Sequence, residues 1–138
     1  MPDSDLVLLA EEHRADLPAG FDALAQELGL LIQEGRPLED LTRGKSDSLN
    51  HRIRQATVQE LREFLCTNDR RYAETRAHGK TITRASLASV AAYVAGAVGI
   101  SAAMATACVA FVALAILNVG IGTFCRVTDE PKTKGHST

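Results

Sequence analysis

Residues 85–125 read ASLASVAAYVAGAVGISAAMATACVAFVALAILNVGIGTFC, with Arg84 before them and Arg126 after them. None of these 41 residues carries a charge. A run of 18 or more uncharged apolar residues is the pattern of a transmembrane helix. At 1.5 Å per residue a single helix of this length would reach about 61 Å, roughly twice a hydrocarbon core of about 30 Å. The stretch is therefore too long for one upright span and suits two. The only internal break is Gly99-Ile100-Ser101, which predicts helices near 82–100 and 103–125. The predicted fold is all-α: a small helical cytoplasmic domain followed by a C-terminal transmembrane hairpin, with a single transmembrane helix, or a wholly soluble protein that buries the run between its helices, as the alternatives.

The two halves of the run differ. The half before Met104 is rich in Ala and Gly, which contribute little to insertion. The half after it is rich in Leu, Ile, Val and Phe and would insert alone. Small residues recur at four-residue spacing: Ala91, Ala95, Gly99, Ala103 and Ala107, with Ala88, Ala92 and Gly96 beside them. In lipid, such spacing lets helices approach closely. These residues are therefore the expected helix-packing face, between the two spans or between copies of the chain. Asn118 is the one strongly polar side chain of the second half. Its amide needs a partner, or a place near the membrane surface. Trp is absent, which leaves Tyr93 and Phe124 as the candidates for an interfacial aromatic belt.

Basic residues flank the run on both sides. Arg70, Arg71, Arg76, Lys80 and Arg84 precede it; Arg126, Lys132 and Lys134 follow. A hairpin keeps both flanks on one side, in line with the positive-inside rule. The N-terminus is acidic, and its apolar run LVLLA is too short for a signal peptide. The expected placement is the inner or plasma membrane, with the N-terminal domain cytoplasmic.

Upstream, the pattern is helical. Leu6, Leu9 and His13 mark one side of a first helix over about 5–16. Phe21, Leu24, Ala25, Leu28, Leu31 and Ile32 give a clear apolar stripe for a second. Gly35 is a natural helix stop, Arg36-Pro37 prevents continuation, and 37–41 has the pattern of one extra turn. A polar connector, 42–48, leads to a long helix over about 48–77, capped by Asp47 or Ser48. Its apolar positions are Leu49, Ile53, Ala56, Leu61, Phe64 and Leu65. Its end, NDRRYAETR over 68–76, is too polar to bury a face and reads as a solvated stalk. The predicted division is 1–79 for the helical domain and stalk, 80–126 for the hairpin, and 127–138 for a disordered tail.

Charge is split along the chain. Residues 1–41 hold ten acids and two bases, whereas residues 42–84 hold ten bases and five acids. The halves can face one another in one bundle, and the basic stretch beside the run can hold anionic lipid. Nucleic acid is not an expected partner. The bases Arg52, Arg54, Arg62, Arg70, Arg71 and Arg76 lack interleaved aromatics and are diluted by Glu60, Glu63, Asp69 and Glu74. Cys66, Cys108 and Cys125 form neither a disulfide framework nor a CxxC metal pair, which suits a reducing compartment. Cys125 has the position of an S-acylation site beside Arg126, although a small apolar filler is the simpler reading.

No catalytic, cofactor or metal motif stands up. Gly79-Lys80-Thr81 resembles the end of a P-loop, but the position that needs glycine holds Glu74. His13, His51, His78 and His136 are scattered, and the Asp47/His51 and Glu11-Glu12-His13 groupings lack a nucleophile. The chain is expected not to be an enzyme and to have no small-molecule substrate. The expected function is a membrane-anchored, self-associating interaction module, with the lipid bilayer, further copies of itself and a protein partner for residues 1–79. The competing expectation is an oligomeric membrane-perturbing or pore-forming effector of toxin, holin or abortive-infection type. In composition, the 85–125 run resembles the hydrophobic hairpin of pore-forming bacteriocins. That resemblance spans about 40 residues and assigns no residue a role.

Overall fold

The computed structural model describes residues 2–35, 49–67 and 84–127, and these are all-helical or short connections. Helix α1 spans Pro2–Glu12 and is followed by a 3-10 turn, Arg14–Asp16. Helix α2 spans Phe21–Gln33. Helix α3 spans Leu49–Cys66. Helices α4, Arg84–Val98, and α5, Ala102–Val119, hold most of the uncharged run, and a short helix over 121–127, here α6, ends it.

The architecture follows from how many faces each helix must bury. Helices α2 and α3 have one apolar stripe each, and such helices need an apolar surface to cover. Helix α5 is apolar all round, and a helix of that kind is buried in protein or in lipid. The other helices use α5 as their shared surface: α1, α2, α3 and α4 all pack against it. Ala105, Ala107, Cys108, Val109, Ala110, Val112, Ala113 and Ile116 of α5 are fully buried. One core joins α5 to Leu6 and Leu9 of α1, Phe21, Leu28 and Ile32 of α2, Ile53, Val58, Leu61 and Phe64 of α3, and Leu87, Val90 and Val94 of α4. Burial of each such large side chain stabilises by about 1.5–3 kcal/mol, more than a typical cap contributes.

Local stops fall where the sequence places them for α2 and for the break in the run. Gly35 adopts φ +77° and donates to Ile32 O, as a C′ glycine does. Gly99 takes φ +82° and closes α4 by donating to Ala95 O. Ser101 then caps α5, its Oγ accepting from Met104 N at 3.1 Å. Gly120, at φ +114°, ends α5 and separates it from α6.

The structure departs from the sequence pattern at several places. Gly99 ends α4 at Val98 and Gly120 ends α5 at Val119, ahead of the predicted ends near 100 and 125. Among the described residues, only α5 is long and apolar enough to cross a membrane. Phe124 is fully buried against the core, whereas Tyr93 is exposed. Val127, the first residue of the expected polar tail, is helical and 7% exposed. Arg54 and Arg62 of α3 are buried despite their charge, at 4% and 7% exposed. The extra turn at 37–41, the connector 42–48 with the caps Asp47 and Ser48, the stalk 68–76 and the tail beyond 127 lie outside the described residues.

Candidate functional site

The feature with most chemical consequence is the apolar hairpin α4–α5 and what covers it. Helix α2 comes close to α5 at Gly29, where a Cβ would lie 3.6 Å from Ala115 Cβ. Helix α3 is held to α2 by polar contacts at the edge of the core. Arg54 Nη1 donates to Glu27 Oε1 at 2.6 Å and to Leu24 O at 3.3 Å. Asn50 Nδ2 donates to Ala19 O at 2.9 Å. The Arg14 guanidinium lies over the Phe111 ring at 5.4 Å, and its Nη2 reaches Glu11 at 3.3 Å. Such a stack keeps a charged head in water while its stem shields an α5 aromatic.

The cover is incomplete along one flank. An open groove of about 470 Å³ runs between α2 and α5, with Leu30, Phe111 and Leu114 among its apolar walls and Asp22, Gln26 and Asn118 among its polar ones. Val7, Leu8 and Leu30 expose about half their area.

The predicted packing residues are divided between the two arms of the hairpin. The turn at Gly99 redirects the chain, so the four-residue spacing is broken between α4 and α5. Ala91 is buried, Ala95 half-buried, and Ala107 fully buried in α5. Gly99 lies exposed in the turn, and Ala103 is exposed in the first turn of α5. The neighbouring set fares differently: Ala88, Ala92 and Gly96 are all exposed on α4, and a Cβ at Gly96 would meet nothing within 4 Å. Asn118 is exposed on the groove wall, near the end of α5. Arg126 is exposed, and Arg84 opens α4. Arg70, Arg71, Arg76 and Lys80 lie outside the described residues.

The cysteines are not the unlinked set that their spacing suggests. Cys66 and Cys125 form a disulfide with their Cα atoms 5.3 Å apart, across 59 residues of sequence. This Cα separation lies within the range such bonds require. Spacing along the chain carries no signal for it, because the pairing depends on the fold bringing the end of α3 against α6. Cys108 is unbonded and buried in α5. His13 and Asp16 pair locally at 3.2 Å on the surface. Among the described residues no cluster of three His, Cys, Asp or Glu forms. No family model, no curated protein and no solved structure matches this chain.

Proposed function

We propose that the protein is a membrane-inserting effector that keeps its apolar hairpin sheathed until it meets a bilayer, and there self-associates and perturbs the membrane. The observation that carries this reading is the partnership of an all-round apolar helix, α5, with the helices packed around it. The apolar faces of α2 and α3 can exchange α5 for lipid without exposing new apolar surface to water, since amphipathic helices also lie stably in a membrane surface. The hairpin would insert with its turn at Gly99-Ile100-Ser101 leading and both of its ends on the side from which the protein meets the membrane. The outward small residues Ala88, Ala92 and Gly96 supply a face for contact between copies once in lipid.

A second reading is a standing membrane anchor with an interaction domain. The open groove between α2 and α5 favours it, because a partner helix could complete the cover there.

Purified full-length chain mixed with dye-loaded vesicles of anionic phospholipid separates the two. Dose-dependent dye release is expected, with α5 protected from protease in the vesicle fraction. Protein that stays in the supernatant over sealed vesicles, both as purified and after dithiothreitol, would overturn membrane insertion. Tight association without leakage would favour the anchor.

A further inference from the structure

We propose that the Cys66–Cys125 disulfide is a redox clasp on the apolar hairpin: intact, it holds the hairpin in its sheath, and reduction by a dithiol releases it. The membrane consequence rests on the function proposed above; the release step rests on the fold alone.

The bond joins the cover to the base of the hairpin. Cys66 is the last residue of α3, and Cys125 is the last residue of the uncharged run, next to Arg126. The loop that the bond closes contains the whole of α4 and α5. Helices α1 and α2, outside the loop, belong to the sheath.

The bond is also within reach of a reductant. Cys66 and Cys125 are both half-buried, at the margin of the core, where a thiolate can approach. Cys108 is fully buried in α5, away from the solvent that exchange chemistry needs. A thiolate of the dithiol attacks one sulfur, the S–S bond breaks, and the departing thiolate takes a proton. The second thiol of the reductant then displaces the remaining cysteine. The protein gains two electrons and two protons and holds two thiols, and the dithiol becomes a disulfide.

After reduction, α6 depends on the burial of Phe124 and Val127, with Gly120 as a hinge at its start. A cross-link over a loop of this length restricts the opened chain strongly. Its loss is expected to raise the population of the hairpin-open form about 10²- to 10³-fold.

Hydrogen exchange on the full chain, oxidised and after dithiothreitol, tests the release step. Amides of α5 and of 121–127 are expected to exchange at least about tenfold faster after reduction, with α3 changing less. The Cys66→Ser/Cys125→Ser variant should match the reduced protein whatever the redox conditions. Equal protection in both forms would overturn the clasp. Uniform loss of protection in every helix would also overturn it, making the bond a staple for the whole fold. Vesicle leakage supplies the second arm. Faster leakage by the reduced protein and by the variant supports the clasp, and equal leakage from both redox forms overturns it while leaving membrane activity standing. Faster exchange with no leakage from either form would keep the release step and overturn the membrane function.

Discussion

Arg54 of α3 reaches across to Glu27 of α2, Nη1 to Oε1 at 2.6 Å, and the two side chains differ sharply in burial: 5% exposed for Arg54 and 55% for Glu27. The pair is thus one-sided. Removing Glu27 leaves the buried guanidinium with the Leu24 carbonyl; removing Arg54 leaves a carboxylate that water can solvate. Glu27→Ala is expected to cost about 2–3 kcal/mol and Arg54→Met about 1 kcal/mol or less. Urea unfolding followed by circular dichroism measures both. A larger loss from Arg54→Met would mean that its guanidinium contacts, rather than its methylene stem, hold α3 in place.

Ser101 decides where α5 begins. Its hydroxyl accepts from Met104 N, and the turn before it already uses Gly99 at positive φ. Ser101→Ala should lower stability by about 1 kcal/mol, a fall in Tm of about 3–5 °C for a chain of this size. Ser101→Asp should keep the wild-type stability, since a carboxylate accepts the same bond and favours the helix N-terminus. Thermal melts of the three proteins check the order.

Gly29 sits at the α2–α5 contact, and its substitution reads the packing there. A Cβ would meet Ala115 Cβ at 3.6 Å and Ala115 O at 3.9 Å, ordinary contact distances. Gly29→Ala should therefore fit and stabilise by about 0.5–1 kcal/mol, through the gain in helix propensity. Gly29→Leu adds three carbons beyond that contact and should cost about 1–3 kcal/mol by pushing α2 off α5. Opposite signs for the two substitutions, read from denaturation midpoints, are the expected result.

The parts of this fold legible in the sequence are those fixed locally. The α2 stripe from Phe21 to Ile32, its stop at Gly35 and the break at Gly99-Ile100-Ser101 each depend on a few neighbouring residues, and each falls where expected. The Ser101 cap is equally local, although neither Pro nor Asn nor Asp marks that turn. What covers α5 is not legible. A run that is apolar all round has no face, so periodicity cannot say which neighbours it takes. The one-faced helices ahead of it are the available clue. Nothing in the sequence singles out Arg54 and Arg62 from the other bases of α3, and only the fold shows that they are buried. The Cys66–Cys125 bond needs the tertiary structure itself. The even spacing of small residues along 85–125 implies one stripe, whereas the turn leaves Gly99 and Ala103 exposed and buries Ala107.

A single charge on α4 can separate insertion of the whole hairpin from insertion of α5 alone. Ala92 lies near the middle of α4 and is exposed to water. Ala92→Lys should leave the Tm of the folded protein unchanged, because lysine is a good helix residue and a surface position tolerates it. If α4 enters the bilayer with α5, residue 92 lands near the hydrocarbon midplane, where a lysine costs about 2.5–3.5 kcal/mol. Membrane insertion should then weaken by roughly two orders of magnitude. If α5 enters alone, residue 92 stays at the surface beside anionic headgroups, and the added positive charge should leave binding equal or slightly stronger. Vesicle co-sedimentation and leakage, measured beside the Tm of each protein, distinguish these outcomes. Ala92→Gln is the control for size without charge, and it should follow the wild type in stability while losing less insertion than Ala92→Lys.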